Sequence, residues 1–308
     1  MAEKSKIEWC DSTFNPWIGC TKVSPACDHC YAERQDARGI YGGQHLGAGV
    51  PRKRTSASYW RQPLRWNAQP FWKCDVCGWR GDRLLLGQFC PPKSEGGGGC
   101  GSASVKPARR RVFCASLADW LDNEVPIEWL VDLLDLIQRT PNLDWLQLTK
   151  RIGNWRKRIE AARDCGRSNI QLNNWLDDWL NGNPPANVWL GATVCNQQEA
   201  NRGVPKLLAV PARVRFLSIE PMLGPITFRW AAWEPIKTAA TTNHLDGLRR
   251  LDWIICGGES GPQARPMNPD WVRSLRDQCT VAGVPFFGKQ NVGKKALPDD
   301  LRVREFPR

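Results

Sequence analysis

The chain lacks any apolar run of membrane-spanning length, and its first residues, Met1-Ala2-Glu3-Lys4-Ser5-Lys6, lack the apolar core of a signal peptide. The expectation is therefore a cytoplasmic protein with no membrane association. In that compartment thirteen cysteines read as metal ligands or buried thiols rather than disulfides. No glycine-rich dinucleotide fingerprint follows the first strand-like segment, so a dinucleotide-binding sheet is not the first choice of fold. Acidic residues are also in deficit, 31 against 43 basic ones, and the formal net charge is +12. That bias favours an anionic partner, nucleic acid or a nucleotide first, over a merely basic soluble protein. What remains is ordinary for a globular chain: 308 residues, 42% apolar and 24% charged, enough for one large domain or one domain carrying insertions. Seventeen tryptophans are far above ordinary usage and read mostly as core or rim packing, with a few available to stack on bases.

The densest chemistry lies near the N-terminus. Cys20, Cys27 and Cys30 form the pattern C-x6-C-x2-C within eleven residues, between an extended segment (7–19) and a helix-like run (31–38). Three thiolates so close can converge on one metal centre, and a cluster held by only three cysteines keeps one metal corner free for chemistry. A second group is spaced differently: Cys74-x2-Cys77, then Cys90 and Cys100, with a glycine run at 96–99 before the last cysteine. Four thiolates on a segment too short for its own apolar core suit structural, tetrahedral zinc in a zinc-ribbon-like insertion. Free thiols and a second iron–sulfur cluster are the competing readings.

From residue 111 onward, short continuously apolar strands alternate with helices. Strands are expected at 111–116, 145–149, 188–193, 214–219, 252–257 and 284–288, and helices at 126–139, up to about residue 178, at 197–210 and at 269–282. Residues 224–250 carry no clear pattern. The alternation predicts an α/β fold, a full or partial TIM-like (βα) barrel of parallel strands, with an open doubly wound sheet second. The expected organisation is 1–67 for the first strand and metal loop, 68–110 for the insertion and 111–308 for the rest of the barrel.

In such barrels function collects at the C-terminal ends of the strands. Those ends carry Ser116 and Asp119, Thr149 and Lys150, Thr193, Ser218 and Glu220, Glu259 and Ser260, and Lys289 with Gln290. Gly257-Gly258-Glu259 is the sharpest of these: two glycines permit close backbone approach, and a glutamate can accept from a cationic amine. A tight turn with a solvated glutamate is the plainer alternative. Lys150-Arg151 could anchor a carboxylate or phosphate, and the basic run Arg52-Lys53-Arg54 is either a solvated loop or a phosphate contact. Cys114, Cys195 and Cys256, near strand ends, are candidates to donate a hydrogen atom to a substrate radical, or simply small buried hydrophobes.

The run from Ile7-Glu8-Trp9 through Phe14-Asn15-Pro16 to Gly19-Cys20-Thr21-Lys22-Val23-Ser24-Pro25-Ala26-Cys27-Asp28-His29-Cys30-Tyr31-Ala32-Glu33 resembles the phage-associated three-Cys-motif family of unknown function. So do Phe113-Cys114-Ala115-Ser116-Leu117-Ala118-Asp119, Leu148-Thr149-Lys150-Arg151, the stretch from Phe216 to Pro225, and Gly257-Gly258-Glu259-Ser260-Gly261. Segments 68–110 and 227–250 look like insertions. That family in turn resembles radical S-adenosylmethionine (SAM) enzymes, including spore photoproduct lyase, whose cluster motif is C-x3-C-x2-C with an aromatic before the last cysteine; here His29 takes that slot and the first spacing is six. The resemblance implies a 4Fe–4S cluster on Cys20, Cys27 and Cys30, SAM on the free iron, and reductive cleavage of SAM to a hydrogen-abstracting 5′-deoxyadenosyl radical. It makes Ser116 and Asp119 the positional candidates for SAM contacts, with Lys150, Ser218, Glu220, Gly257, Gly258 and Glu259 as further cofactor-binding candidates. It also implies a phage or mobile-element setting, a three-Cys-motif partner protein, and modification or repair of a nucleobase or nucleotide. The alternative function is a non-catalytic, metal-stapled nucleic-acid-binding protein in which zinc takes Cys20, Cys27 and Cys30 with a ligand such as His29.

Overall fold

The structure, a computed structural model, describes residues 4–166, 168–229 and 245–307. The expectations for residues 1–3, and for most of the patternless stretch at 224–250, lie outside the described residues. Seven parallel strands form the main sheet, in simple sequential order: β1 (Ser12–Thr13), β2 (Arg110–Cys114), β3 (Leu143–Thr149), β4 (Val188–Thr193), β5 (Val214–Ile219), β6 (Trp253–Cys256) and β7 (Phe286–Gly288). Helices follow the strands: α1 (Tyr31–Ala37) after β1, α2 (Ile127–Gln138) after β2, α3 (Trp155–Cys165) and α4 (Ile170–Leu180) after β3, α5 (Gln197–Leu208) after β4 and α6 (Pro269–Ala282) after β6. A monotonic order has no reversal point, so the doubly wound alternative does not apply.

Side chains alternate across each strand and sort into two cores. Val112, Trp145, Leu190, Leu217, Ile254 and Phe286 face the helices, while Phe113, Leu146, Phe216, Ile255 and Phe287 face the concave interior. The curl of the sheet can be read from Trp9. In a flat sheet β1 and β6 would be five strand spacings apart, about 24 Å. Yet the Trp9 ring, just ahead of β1, lies 4.6 Å from Phe113 on β2, 6.4 Å from Phe216 on β5 and 6.4 Å from Trp253 on β6. The strands therefore bend around this indole. Gly191 makes room for the same interior layer, since a Cβ there would lie 2.3 Å from the Phe216 ring.

Among the described residues the sheet stops at β1 and β7 without closing, which makes it a half-barrel and not a full TIM barrel. Two terminal segments fill the seam between its edges. On one side, residues 5–10 turn inward, with Ser5 N–H donating to Asp11 O (2.9 Å) and Cys10 N–H to Ile7 O (3.2 Å). On the other, residues 303–306 run antiparallel to β7, with Arg304 opposite Phe287. Phe306 packs on Trp253 and Phe287, under the Arg111 guanidinium 4.0 Å away, so it links β6 and β7 to β2. Arg304 pairs with Glu8 at 3.0 Å, which joins the two segments.

Between α1 and β2 the chain leaves the half-barrel to form a separate antiparallel sheet of Trp72–Cys74, Arg80–Gly81 and Val105–Pro107. It docks on the rim through Arg80, which donates to both Asp11 oxygens (3.0–3.1 Å), and through Arg110, which donates to Asp82 (2.8 Å). Asp11 is held below its ordinary pKa: burial works to raise it, and Arg111 and Arg80 outweigh that. Among the described residues no helix is long and apolar enough to cross a membrane.

Candidate functional site

A cavity of about 380 Å³ opens at the C-terminal ends of the strands. Cys20, Cys27 and Cys30 all line it, together with Ser116 and Asp119 after β2, Lys150 after β3, Thr193 from β4, Ser218 and Glu220 from β5, and Lys289 after β7. The loop after the first strand thus meets the polar ends of the later strands in one chamber, whose lower wall is the apolar interior layer of Trp9, Phe113 and Leu148.

The cysteine loop is locked from several directions. Gly19 has φ +114°, and a Cβ there would lie 2.3 Å from His45 O, so the entry to the loop requires glycine. Ser24 Oγ accepts from Ala26 N–H (3.1 Å) and caps the short turn Pro25–Cys27, while Cys30 stands at the N-cap of α1. Asp36 accepts from the His45 and Leu46 N–H groups and fixes the return of the chain. Arg52, from the basic run, is buried: it pairs with Asp122 (2.8 Å) and Glu124 (3.2 Å) and donates to Thr21 Oγ1 (2.7 Å). It is a structural pin beneath the loop, and only Lys53 and Arg54 of that run are exposed. Arg151 reaches the loop from the end of β3, donating to Cys20 Sγ (3.4 Å) and Thr21 O (2.6 Å). Burial pushes the Cys20 thiol up to about 12; Asp119 adds to the rise and Arg151 opposes it. A thiolate at Cys20 therefore needs cationic company, and Arg151 supplies part of it.

Asp119 is the hub of the next layer of contacts. Its carboxylate accepts from Thr149 Oγ1 (2.7 Å), Lys150 N–H (2.8 Å) and Arg151 (3.4 Å), binding the ends of β2 and β3 to the cysteine loop. Asn15 supports Ser116 by donating to its Oγ (3.0 Å) and accepting from Leu117 N–H (2.8 Å). Across the cavity Glu220 accepts from Lys289 Nζ (2.6 Å), Ser218 Oγ (3.1 Å) and the Trp9 indole N–H (3.2 Å). The Thr193 hydroxyl is buried on the wall with no hydrogen-bond partner among the described residues. Such a group is free to meet a bound molecule.

Gly257, Gly258 and Glu259 do not line this cavity. Gly258 is required by chain packing, because a Cβ there would lie 2.7 Å from Val292 N. Glu259 is already engaged: it accepts from Arg265 N–H (2.7 Å), Nε (3.1 Å) and Nη2 (2.6 Å). Arg265 goes on to Pro25 O (2.7 Å) and Asp28 (3.1 Å), and His29 Nδ1 lies 3.7 Å from Glu259. The glutamate and arginine form a brace behind the cysteine loop. Burial tends to raise the Glu259 pKa, but the Arg265 hydrogen bonds and charge outweigh it and hold the carboxylate below its usual range. Cys114, Cys195 and Cys256 are buried outside the cavity lining; Cys114 and Cys256 belong to the outer core, and Cys256 Sγ lies 3.6 Å from Met222 Sδ. Arg265 carries no distinguishing mark in the sequence, and Trp9 and Asn15 are marked only as members of the run that carries the family resemblance. Each acts on a partner more than a hundred residues away, except the local Arg265–Glu259 contact, whose only signal was their spacing of six.

The second cysteine group has the geometry to hold a metal ion. Cys74, Cys77, Cys90 and Cys100 present sulfurs all within 4.8 Å of one another, with Cys74–Cys100 at 3.9 Å and Cys90–Cys100 at 3.6 Å. Thiolates about 2.3 Å from one tetrahedral ion stand about 3.8 Å apart, which matches these separations. Gly99 is needed beside them, since a Cβ would lie 2.9 Å from Cys90 Sγ. Among the described residues no other set of three His, Cys, Asp or Glu groups is this tight.

Residues 4–300 match the model of a family described as "Protein of unknown function (DUF5131)". No curated protein and no solved structure matches the chain.

Proposed function

We propose that this chain, which belongs to the DUF5131 family, is a radical SAM-type iron–sulfur enzyme that modifies or repairs a nucleobase or nucleotide. The observation that carries the reading is the convergence of Cys20, Cys27 and Cys30 on the same cavity as the strand-end polar groups of a parallel half-barrel. Their donor chemistry fits an iron–sulfur centre: three thiols lining one cavity, with a guanidinium already donating to one sulfur. With SAM, a bound and reduced 4Fe–4S cluster supplies one-electron cleavage of the sulfonium and hence hydrogen abstraction.

The chain's own residues do the rest. Arg151 steadies Cys20 and is itself held by Asp119. Ser116, Asp119 and Lys150 offer hydrogen-bonding and charged groups next to the cysteine loop, and Thr193 offers an unspent hydroxyl opposite. The Glu220–Lys289 pair makes a polar floor, and Trp9 and Phe113 exclude water beneath it. The four-cysteine module would hold zinc as a structural ion, in keeping with its separations. A cytoplasmic setting, a phage or mobile-element context and a three-Cys-motif partner protein complete the proposal, on the strength of the resemblance and of cysteine usage.

The non-catalytic, metal-stapled alternative has less support, because His29 Nδ1 is turned to Gln263 O and to Glu259, 3.7 Å away. The two readings separate on protein purified without oxygen, reduced and supplied with SAM. Release of 5′-deoxyadenosine is expected. Bound iron and sulfide without any SAM cleavage would refute the enzyme reading, and zinc at both cysteine groups would favour the alternative.

A further inference from the structure

The seam of the half-barrel carries a second cleft, of about 310 Å³. Six of its lining residues are cationic (Lys6, Lys289, Lys294, Lys295, Arg302 and Arg304), and one, Glu8, is acidic. Three of the cations are already matched: Lys289 with Glu220 (2.6 Å), Arg304 with Glu8 (3.0 Å) and Arg302 with Asp299 (3.0 Å). Lys6, Lys294 and Lys295 are exposed and make no ion pair among the described residues. Like charges gathered in a concave surface repel one another, and the one acid in the cleft is taken by Arg304.

The backbone holds two of them there at some cost. Gly293 and Lys294 are consecutive left-handed residues, φ +69° and +65°, and for a lysine that conformation is uncommon. The turn is nevertheless tied down, by Gly293 N–H donating to Glu259 O (2.8 Å) and Asn291 N–H to Lys295 O (2.8 Å). It therefore sits on the same Glu259 segment that braces the cysteine loop through Arg265. The cleft adjoins the cavity, because Lys289 lines both.

We propose that this seam is the phosphate track for a single-stranded nucleic acid, with Lys6, Lys294 and Lys295 contacting the backbone next to the nucleotide that enters the cavity past Lys289. The proposal rests on the nucleic-acid reading above and specifies its substrate as a polymer. A cavity of about 380 Å³ is far too small for a duplex. A base can reach it only from a single strand or after leaving the stack. The flanking phosphates must then stay outside, and the cleft over the two segments that fill the seam is the surface that keeps them beside the cavity.

The test uses the full chain with its metals, without SAM or reductant, and fluorescein-labelled oligonucleotides in three forms: single-stranded DNA, single-stranded RNA and a duplex. Anisotropy is followed across a salt series. Wild-type protein is expected to bind at least one single strand more tightly than the duplex. The triple variant Lys6→Ala/Lys294→Ala/Lys295→Ala is expected to bind it at least tenfold more weakly, and to lower the slope of log K against log salt by about 2, since each single-strand phosphate contact contributes roughly 0.7. A control triple, Lys93→Ala/Lys157→Ala/Lys206→Ala, removes the same charge from exposed positions outside the cleft and is expected to keep the wild-type slope. An equal loss in both triples would mean diffuse attraction and overturn the track. So would an unchanged slope in the seam triple, absence of single-strand binding, or equal binding of the duplex. Unfolding curves of both triples establish that the fold is intact. Because no SAM chemistry is read, strand binding without SAM cleavage defeats only the proposed reaction, and SAM cleavage without strand binding defeats only the track.

Discussion

Cys74 ends a strand of the small antiparallel sheet, Cys77, Cys90 and Cys100 lie in the turns around it, and all four sulfurs are within 4.8 Å, whereas Cys20, Cys27 and Cys30 lie on a loop over a cavity and are not drawn together in that way. The neighbours of the first group are turns and glycines that let the sulfurs meet. The second is surrounded by long-range polar support: Arg151 from β3, Arg52 with Asp122 beneath, and the Glu259–Arg265 brace behind. A closed four-thiol set is what a structural ion needs, and a supported three-thiol set beside open space is what a reacting centre needs. Thiols in one chain can therefore be divided by what surrounds them, and the division can be broken by experiment.

The largest effects should come from the thiols themselves. Cys27→Ala is expected to abolish bound iron and leave the metal of the four-cysteine module in place, and Cys74→Ser to do the reverse, as read by metal analysis of each purified variant. Loss of iron from Cys74→Ser would refute the division. Next comes Arg52→Met, which removes the nearer guanidinium partner of buried Asp122 and leaves it only Arg151 at 3.7 Å. Breaking such a pair costs about 3–5 kcal/mol, so thermal unfolding should show a large loss of stability, and the cysteine loop should become the first site of proteolysis.

A smaller effect is expected where the module meets the half-barrel. Asp11→Asn weakens the Arg80 contact by on the order of 2 kcal/mol, the scale of hydrogen bonds to charged groups. Proteolysis should release segment 68–110 faster while the half-barrel survives. The pH dependence has the same origin. The folded-state pKa of Asp11 is depressed, so its contribution is fully present above the ordinary aspartate pKa and is lost as pH falls through the folded value. Protection of the module should therefore fade only in acid, and the fading should disappear in Asp11→Asn. The smallest effect is expected at Lys22, whose pair with Glu33 (2.8 Å) is half exposed. Lys22→Ala should change unfolding stability by no more than about 0.5 kcal/mol; a larger loss would mean that loop rigidity depends on surface charge rather than on the buried supports.

Much of the half-barrel is legible in the sequence, because parallel strands buried on both faces read as unbroken apolar runs such as Trp253-Ile254-Ile255-Cys256. Strand ends then follow, and with them Ser116, Asp119, Lys150, Ser218 and Glu220 on the cavity wall. What stays hidden depends on partners distant in the chain. The closure of the seam rests on Trp9 and Phe306, which look like any other aromatics until the sheet curls around them. Arg52 reads as part of a basic run, solvated or contacting phosphate, because its acidic partners lie about seventy residues away. Gly257-Gly258-Glu259 has the composition of a ligand turn, and only folding shows its glutamate bonded to Arg265 and its second glycine pressed against residue 292.

The division of the thiols is tested most directly by counting iron, sulfide and zinc per chain in anaerobically purified protein, beside the triple variant Cys20→Ala/Cys27→Ala/Cys30→Ala. Wild-type protein should hold about four iron and four sulfide together with about one zinc, and the triple variant should keep the zinc and lose the iron and sulfide. Zinc in place of iron in the wild type, or iron retained by the triple variant, would contradict it.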